Sequence, residues 1–358
     1  MPGLIVAFIS SFICTLLIIR FEYLHGHISG DIDFSAPQKF HTNAVPRIGG
    51  IAVALAITLA IIFRFNKSPN PYIELQFLAC ALPTFAIGTA EDLTKKIGVK
   101  VRLFFTAISA ALAIYYLDAL IIGFGIPWID NIFLLPGVAV AFTILAITGL
   151  ANAFNIIDGF NGLASMVGII SLTAIAYINY LVGDLQFFSL SLAMIGAILG
   201  FFIWNYPKGL IFLGDGGSYL IGFWIASLSI LLVARHPTVS PWFALSVNAY
   251  PALETLFTIY RRKIHQGTSP GEADGMHFHS LIYRRVLRMQ FDIQNPKSNN
   301  SRTSPYLWIL SGLPVMASML WWNSTPALAI CCLLFILGYL WLYQKIVRFK
   351  TPRWLRFF

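Results

Sequence analysis

The chain has 358 residues, of which 58% are hydrophobic and only 11% charged, with a mean hydropathy of +0.75. That composition excludes an ordinary soluble globular domain and calls for a bundle of membrane helices. A formal charge of +9, from 24 Lys+Arg against 15 Asp+Glu, then reads as basic loops beside anionic headgroups rather than as a nucleic-acid surface.

Taken in order, the apolar runs predict spans at 3–20, 48–66, 74–90, 102–122, 132–150, 163–182, 186–205, 217–234, 241–260, 305–322 and 325–343. Each is near the ~20 residues that a bilayer requires, and the run 102–122, which carries Asp118, is the weakest. The first run lacks a basic start and a small-residue cleavage site, so it is expected to stay as a span. Cys14, Cys80, Cys331 and Cys332 all fall in apolar runs and read as small buried hydrophobes. Basic residues collect in the loops 20–47, 91–102, 151–162, 205–216 and 261–304 and in the tail after 343, against only Arg64, Lys67 and Arg235 on the other side. The positive-inside rule makes the first set cytoplasmic and puts the N-terminus outside. The expectation is a single-domain, all-α polytopic membrane protein of eleven spans, with every chemically loaded loop on the cytoplasmic face.

The first of those loops carries Lys39-Phe-His41 and then Pro46-Arg47-Ile-Gly49-Gly50. Basic side chains and a paired glycine at a helix start suit a phosphate, through free backbone N–H groups and the helix dipole. A plain positive-inside flank accounts for the loop equally well. The second reads Glu91-Asp92-Leu-Thr-Lys95-Lys96, followed by Lys100 and Arg102. Two acids at the end of an apolar span call for a cation, and magnesium is the natural one, a hard ion that takes oxygen ligands. An acid–base surface network is the alternative.

The third, 152–164, looks like the segment around which the chain is organised. It sets Asn152, Asn155, Asp158 and Asn161 at intervals of three between two apolar runs, so a helical turn would aim all four towards one side. Gly159 and Gly162 allow a bend or a close ligand approach. The fourth, Phe212-Leu-Gly214-Asp215-Gly216-Gly217-Ser218, gives one carboxylate little steric cover, which suits a metal ligand; an Asp-capped turn is the plain reading. The fifth holds Arg261-Arg262-Lys263, Asp274, His277 and His279. Zinc lacks further ligands of matching spacing, so donation to phosphate or sugar oxygens is expected there, with headgroup contact as the alternative.

In this order, K-F-H…P-R-I-G-G, E-D-L-T-K-K, N-A-F-N-I-I-D-G-F-N-G-L-A, F-L-G-D-G-G-S and R-R-K…D-G-M-H-F-H-S resemble the polyprenyl-phosphate N-acetylhexosamine-1-phosphate transferase family over about residues 39–288. The resemblance implies transfer of an N-acetylhexosamine 1-phosphate from a UDP-sugar to undecaprenyl phosphate, releasing UMP and starting a lipid-linked surface glycan. It implies Mg2+ (or Mn2+) as cofactor, the bacterial inner membrane as location, membrane lipids as surroundings, no nucleic-acid partner, and room for a homodimer.

Carried over by position, Asp215 resembles the magnesium-binding aspartate and Asn155 its partner ligand. Asn161, with Gly162 and Leu163 beside it, falls where the family recognises uracil, and Asn152 and Asp158 belong to the same motif. Lys100 or Arg102 is similar to the residue contacting the diphosphate; Arg261, Arg262, His277 and His279 match the loop closing over diphosphate and sugar, and Lys39 stands with the phosphate-binding basic residues. Glu91 departs from the family's Asp-Asp pair. Its extra methylene moves the carboxylate by roughly 1.5 Å, so Asp92 is expected to do the essential work while Glu91 orients Asp92, a water or a lysine. The three consecutive histidines typical of the phospho-MurNAc-pentapeptide transferase are missing, which favours a GlcNAc-1-phosphate-type member over that alternative. A transporter would gather its polar residues at the midplane instead.

Overall fold

A computed structural model describes residues 2–30, 45–267, 275–287, 296–352 and 355; Lys39, His41 and Asp274 lie outside them. In chain order the α-helices are α1 (Pro2–Arg20), α2 (Glu22–Ser29), α3 (Gly49–Arg64), α4 (Pro71–Thr94), α5 (Val99–Leu117), α6 (Pro127–Phe133), α7 (Pro136–Ile157), α8 (Leu163–Leu181), α9 (Leu185–Asn205), α10 (Gly214–Arg235), α11 (Pro241–Val247), α12 (Ala249–Tyr260), α13 (Phe278–Ile282), α14 (Pro296–Leu320) and α15 (Thr325–Val347). Proline in the first turn starts α4, α6, α7, α11 and α15, where its missing N–H costs nothing. The protein is all-α and polytopic: among the described residues, nine helices are long and apolar enough to cross a membrane.

Local chemistry moved several expected boundaries. The run 102–122 ends as a helix at Leu117, because Asp118 adopts a left-handed cap with φ 57°. The run 132–150 starts only at Pro136, behind the separate short α6. The run 241–260 is broken at Asn248, whose amide donates to Ala244 O and Ser229 Oγ. The expected loop 205–216 is shorter too, since Gly214 to Gly216 already form the first turn of α10.

The organising element is α10 rather than the 152–164 segment. It packs against α3, α4, α5, α7, α8 and α11, and every residue from Gly214 to Leu232 is buried. Its sequence is apolar or small all round, with no solvent-facing stripe, as expected of a helix surrounded by others. Small residues set the spacing. A Cβ on Gly88 of α4 would lie 2.7 Å from the Gly216 backbone, one on Gly217 would lie 2.8 Å from Gly50 Cα, and one on Gly222 would lie 2.6 Å from Ala151 Cα. Backbone cannot swing aside as a side chain can. Gly88→Ala should therefore cost the ~1–3 kcal/mol of an overpacked contact and lower the detergent melting temperature. Melting with the wild type would show that α4 and α10 separate freely.

α3 and α10 both run from one end of the bundle to the other, with Arg47 and Asp215 at their starts and Arg64 and Arg235 at their ends. One end gathers Arg47, Asp92, Arg102, Asn155, Asp215 and His279. At the other, Arg64 pairs with Glu74 at 3.1 Å and Arg235 with Asp184 at 3.3 Å, so these two cations are largely neutralised.

Candidate active site

The site is built where the segment before α3 meets the start of α10. Phe212 N–H donates to Pro46 O at 2.8 Å, while Gly49 and Gly50 donate to Phe212 O and Leu213 O at 3.0 and 2.8 Å. The paired-glycine amides at the start of α3 are thus occupied by backbone, which corrects the expectation that they cradle a phosphate. Gly214 follows with φ +76°, and a Cβ there would strike Arg47 O and the Asp92 carboxylate. Only glycine turns the chain at this point.

Asp92, 3% exposed, then takes hold of the new helix. Its Oδ1 accepts the N–H of Asp215 at 2.8 Å and its Oδ2 that of Gly216 at 2.9 Å. A carboxylate from α4 thereby caps the N-terminus of α10, satisfying two orphan amides and facing the positive end of the helix dipole. Its neighbour Glu91 does something different: Oε2 accepts the N–H of Ile97 at 2.6 Å and closes the α4–α5 turn. Of the orienting roles expected for Glu91, the contact seen is this local cap. Lys95 donates to Gly30 O.

Asp215, 4% exposed, is held by this cap in the first turn of α10, and three side chains converge on it. Arg47 Nη2 and Asn155 Nδ2 donate to Oδ1 at 3.1 and 2.9 Å, and Arg102 pairs with Oδ2. Arg47 also lies 3.8 Å from Asp92. Of the two basic candidates after Glu91-Asp92, Arg102 in the first turn of α5 is the one brought to the cluster; Lys100 is exposed. Asp158 completes the set of acids. It is half-buried, and its packing raises its carboxyl above the usual range, with Arg47 pulling down and Asp92 pushing up.

The four polar residues of 152–164 do not share one side, because α7 stops at Ile157. Asn152 Oδ1 accepts the Tyr219 hydroxyl at 2.8 Å, and Asn155 Nδ2 also reaches Ser218 Oγ at 3.1 Å, so both face α10. Asn161 turns to the opposite flank. Its side chain donates to Pro207 O at 3.2 Å, its N–H to Asn300 Oδ1 at 2.9 Å, and its carbonyl accepts from Ser304 at 2.6 Å. Gly162, at φ +72°, donates to Asn205 Oδ1 at 2.5 Å and accepts from Trp308 at 3.1 Å. Asn161 and Gly162 thus lock α14 to the motif.

The fifth loop arrives from α12, which continues as a π turn over Arg261–Gln266 with Arg261 and Arg262 buried. His277 and His279 stack with centroids 5.2 Å apart, and His279 meets Phe160 edge-on at 5.4 Å. The loop is therefore brought against the motif. What holds it was missed in the sequence: Glu254 on α12 binds His277, Phe278 and Tyr339. The signal was available, since a lone glutamate inside the apolar run 241–260 is a functional candidate by default.

Asp215 is the acid of the cluster whose two oxygens both meet side-chain donors. The two guanidinium groups offset its charge, so a divalent ion at this carboxylate would have to displace one of them. Turning the Asn155 amide, whose O and N are set only by the hydrogen-bond network, would present a second oxygen. Among the described residues no group of three or more His, Cys, Asp or Glu is placed to hold a metal. Such an ion would need phosphate and water oxygens to complete its shell, the habit of magnesium.

The sequence pattern described as glycosyl transferase family 4 matches residues 75–233, which contain Asp92, the 152–164 motif and Asp215. A Yersinia pestis protein named undecaprenyl-phosphate alpha-N-acetylglucosaminyl 1-phosphate transferase is 33% identical over 267 residues, 71% of this chain and 70% of its own. The chain belongs to glycosyl transferase family 4. Its Escherichia coli K12 relative of the same name is 33% identical over 290 residues, covering 77% of this chain and 75% of the relative. A Bacillus subtilis strain 168 protein, named a probable undecaprenyl-phosphate N-acetylglucosaminyl 1-phosphate transferase, is 29% identical over 294 residues, covering 81% of this chain and 80% of its own.

Proposed function

We propose that this protein transfers an N-acetylhexosamine 1-phosphate, with GlcNAc the first candidate, from its UDP-sugar to undecaprenyl phosphate. The observation that carries this reading is the convergence of Arg47, Arg102 and Asn155 on Asp215, at the end of the bundle that also holds His277 and His279. The curated relatives named above carry the same activity in their names. The basic loops support a cytoplasmic placement of that end, and the bacterial relatives support an inner membrane around the bundle.

In the reaction, a lipid-phosphate oxygen forms a bond to the phosphorus that bears the sugar, and the bond from that phosphorus to the bridging oxygen breaks. UMP leaves with the bridging oxygen, and no net proton is required. A lipid phosphate is largely ionised near neutral pH, its second pKa being about 6, so no strong base is needed. Asp92 has both oxygens committed to the α10 amides, which suits it to holding Asp215 in place. Arg47 and Arg102 are set to offset the charge that builds on the leaving UMP. Magnesium, held by Asp215 with the Asn155 amide oxygen, would act as a Lewis acid on the diphosphate.

The test offers detergent-solubilised protein a panel of UDP-sugars with undecaprenyl phosphate, and follows UMP and the mass of the lipid product. UDP-GlcNAc should release UMP only when the lipid phosphate is present, and chelation of divalent ions should stop it. Release without lipid, or no release from any UDP-HexNAc, would overturn the reading.

A further inference from the structure

Glu254 takes no part in the chemistry above, yet it is 1% exposed and fully engaged. Its Oε1 accepts the N–H of Phe278 at 3.1 Å and lies 3.1 Å from His277 Nδ1, while Oε2 accepts the Tyr339 hydroxyl at 2.7 Å. Both oxygens already accept from other donors, the pattern of an ionised carboxylate, and such a group is an acceptor only. The hydrogen between Glu254 and His277 therefore sits on Nδ1, and in the neutral ring Nε2 is left as an acceptor. Thr258 Oγ1 is a more distant second neighbour of the same Nδ1, at 3.3 Å. The Tyr343 hydroxyl donates to Met276 O at 3.0 Å and fixes the approach to the loop.

From His277 the orientation passes outward by packing. The His277 and His279 rings are nearly parallel, 18° apart. A Cβ on Gly159 would lie 3.2 Å from His279 Nε2, so the second ring rests on the backbone beside Asp158. One buried carboxylate on α12 thus ties α15, the fifth loop and the 152–164 motif together.

We propose that Glu254, backed by Tyr339, is a positioning residue for the UDP-sugar: it fixes His277 as the Nδ1–H tautomer and seats the His277–His279 pair against Gly159 and Phe160. His277 Nε2 then accepts a hydrogen bond from a hydroxyl or the acetamido N–H of the sugar. This rests on the sugar-1-phosphate transfer proposed above.

Two measurements test it. Ring 15N spectra of histidine-labelled, ligand-free protein, with the His277 signals identified by their loss in His277→Gln, should show neutral His277 protonated at Nδ1. Glu254→Leu removes the acceptor that His277 Nδ1 and Phe278 N–H share. It should raise KM for the UDP-sugar about tenfold or more while KM for the lipid phosphate stays unchanged, and Glu254→Gln, whose amide oxygen still accepts there, should recover most of the difference. A purely structural glutamate would lower the melting temperature and the active fraction without moving that KM. Wild-type His277 protonated at Nε2, alone or together with Nδ1, or an unchanged UDP-sugar KM in Glu254→Leu, overturns the proposal. Should Glu254→Leu not fold, the wild-type tautomer decides alone. Wild-type protein that released no UMP would refute the transfer reading and leave the tautomer result standing.

Discussion

Asp215→Asn is expected to leave the protein folded and to lower turnover by ~10²-fold or more, the scale of removing one electrostatic stabiliser of a transition state. Asparagine has nearly the same volume, so the close packing of Gly216 against α4 survives. The two backbone amides that hold the first turn of α10 come from residues 215 and 216 and are not altered by the side chain. Charge is what changes. Arg47 and Arg102 lose the carboxylate they share, and the divalent ion proposed above would lose its anionic ligand. The measurement is the initial rate of UMP release at saturating magnesium, beside a detergent melting curve. Near-normal turnover in a normally melting variant would remove Asp215 from the site.

Asp92→Ala is expected to nearly abolish transfer as well, by a different route. Both carboxylate oxygens cap α10, and losing a cap costs about 0.5–2 kcal/mol. Leaving buried amides unpaired adds about 1–3 kcal/mol. Melting temperature and turnover should therefore fall together, because the turn that aims Asp215 is loosened. Asp92→Asn keeps one acceptor oxygen but turns an NH2 group towards the other amide, so it should fall between wild type and alanine in both measures. Glu91→Ala removes only the acceptor of Ile97 N–H and should cost no more than the 10–100-fold of a supporting residue, with Glu91→Asp mild. Asp92→Asn melting like the wild type while as inactive as Asp92→Ala would place the carboxylate on the substrate instead. A Glu91→Ala loss that deep would put both acids there.

The sequence by itself determined the class and the parts. Long apolar runs cannot be anything but membrane-grade helices when each must satisfy its own backbone in lipid. The basic loops, the resemblance and the acids at span ends marked one end of the bundle, and the structure gathers Asp92, Arg102, Asn155 and Asp215 there. Tertiary packing decided which group each part meets. Spacing alone could not show that Gly49 and Gly50 spend their amides on Phe212 and Leu213, because a backbone donor carries no mark of its partner in the chain. Nor could it show that Asp92 grips a helix more than a hundred residues away, that Asn161 faces α14 while Asn155 faces α10, or that Arg102 and not Lys100 reaches Asp215. The glycines around Asp215 read as freedom for a ligand, and in the fold they are the points where α3, α4 and α10 touch. Glu254 was visible as a glutamate in an apolar run, but its meaning needed His277, Phe278 and Tyr339, which only the folded bundle brings to it.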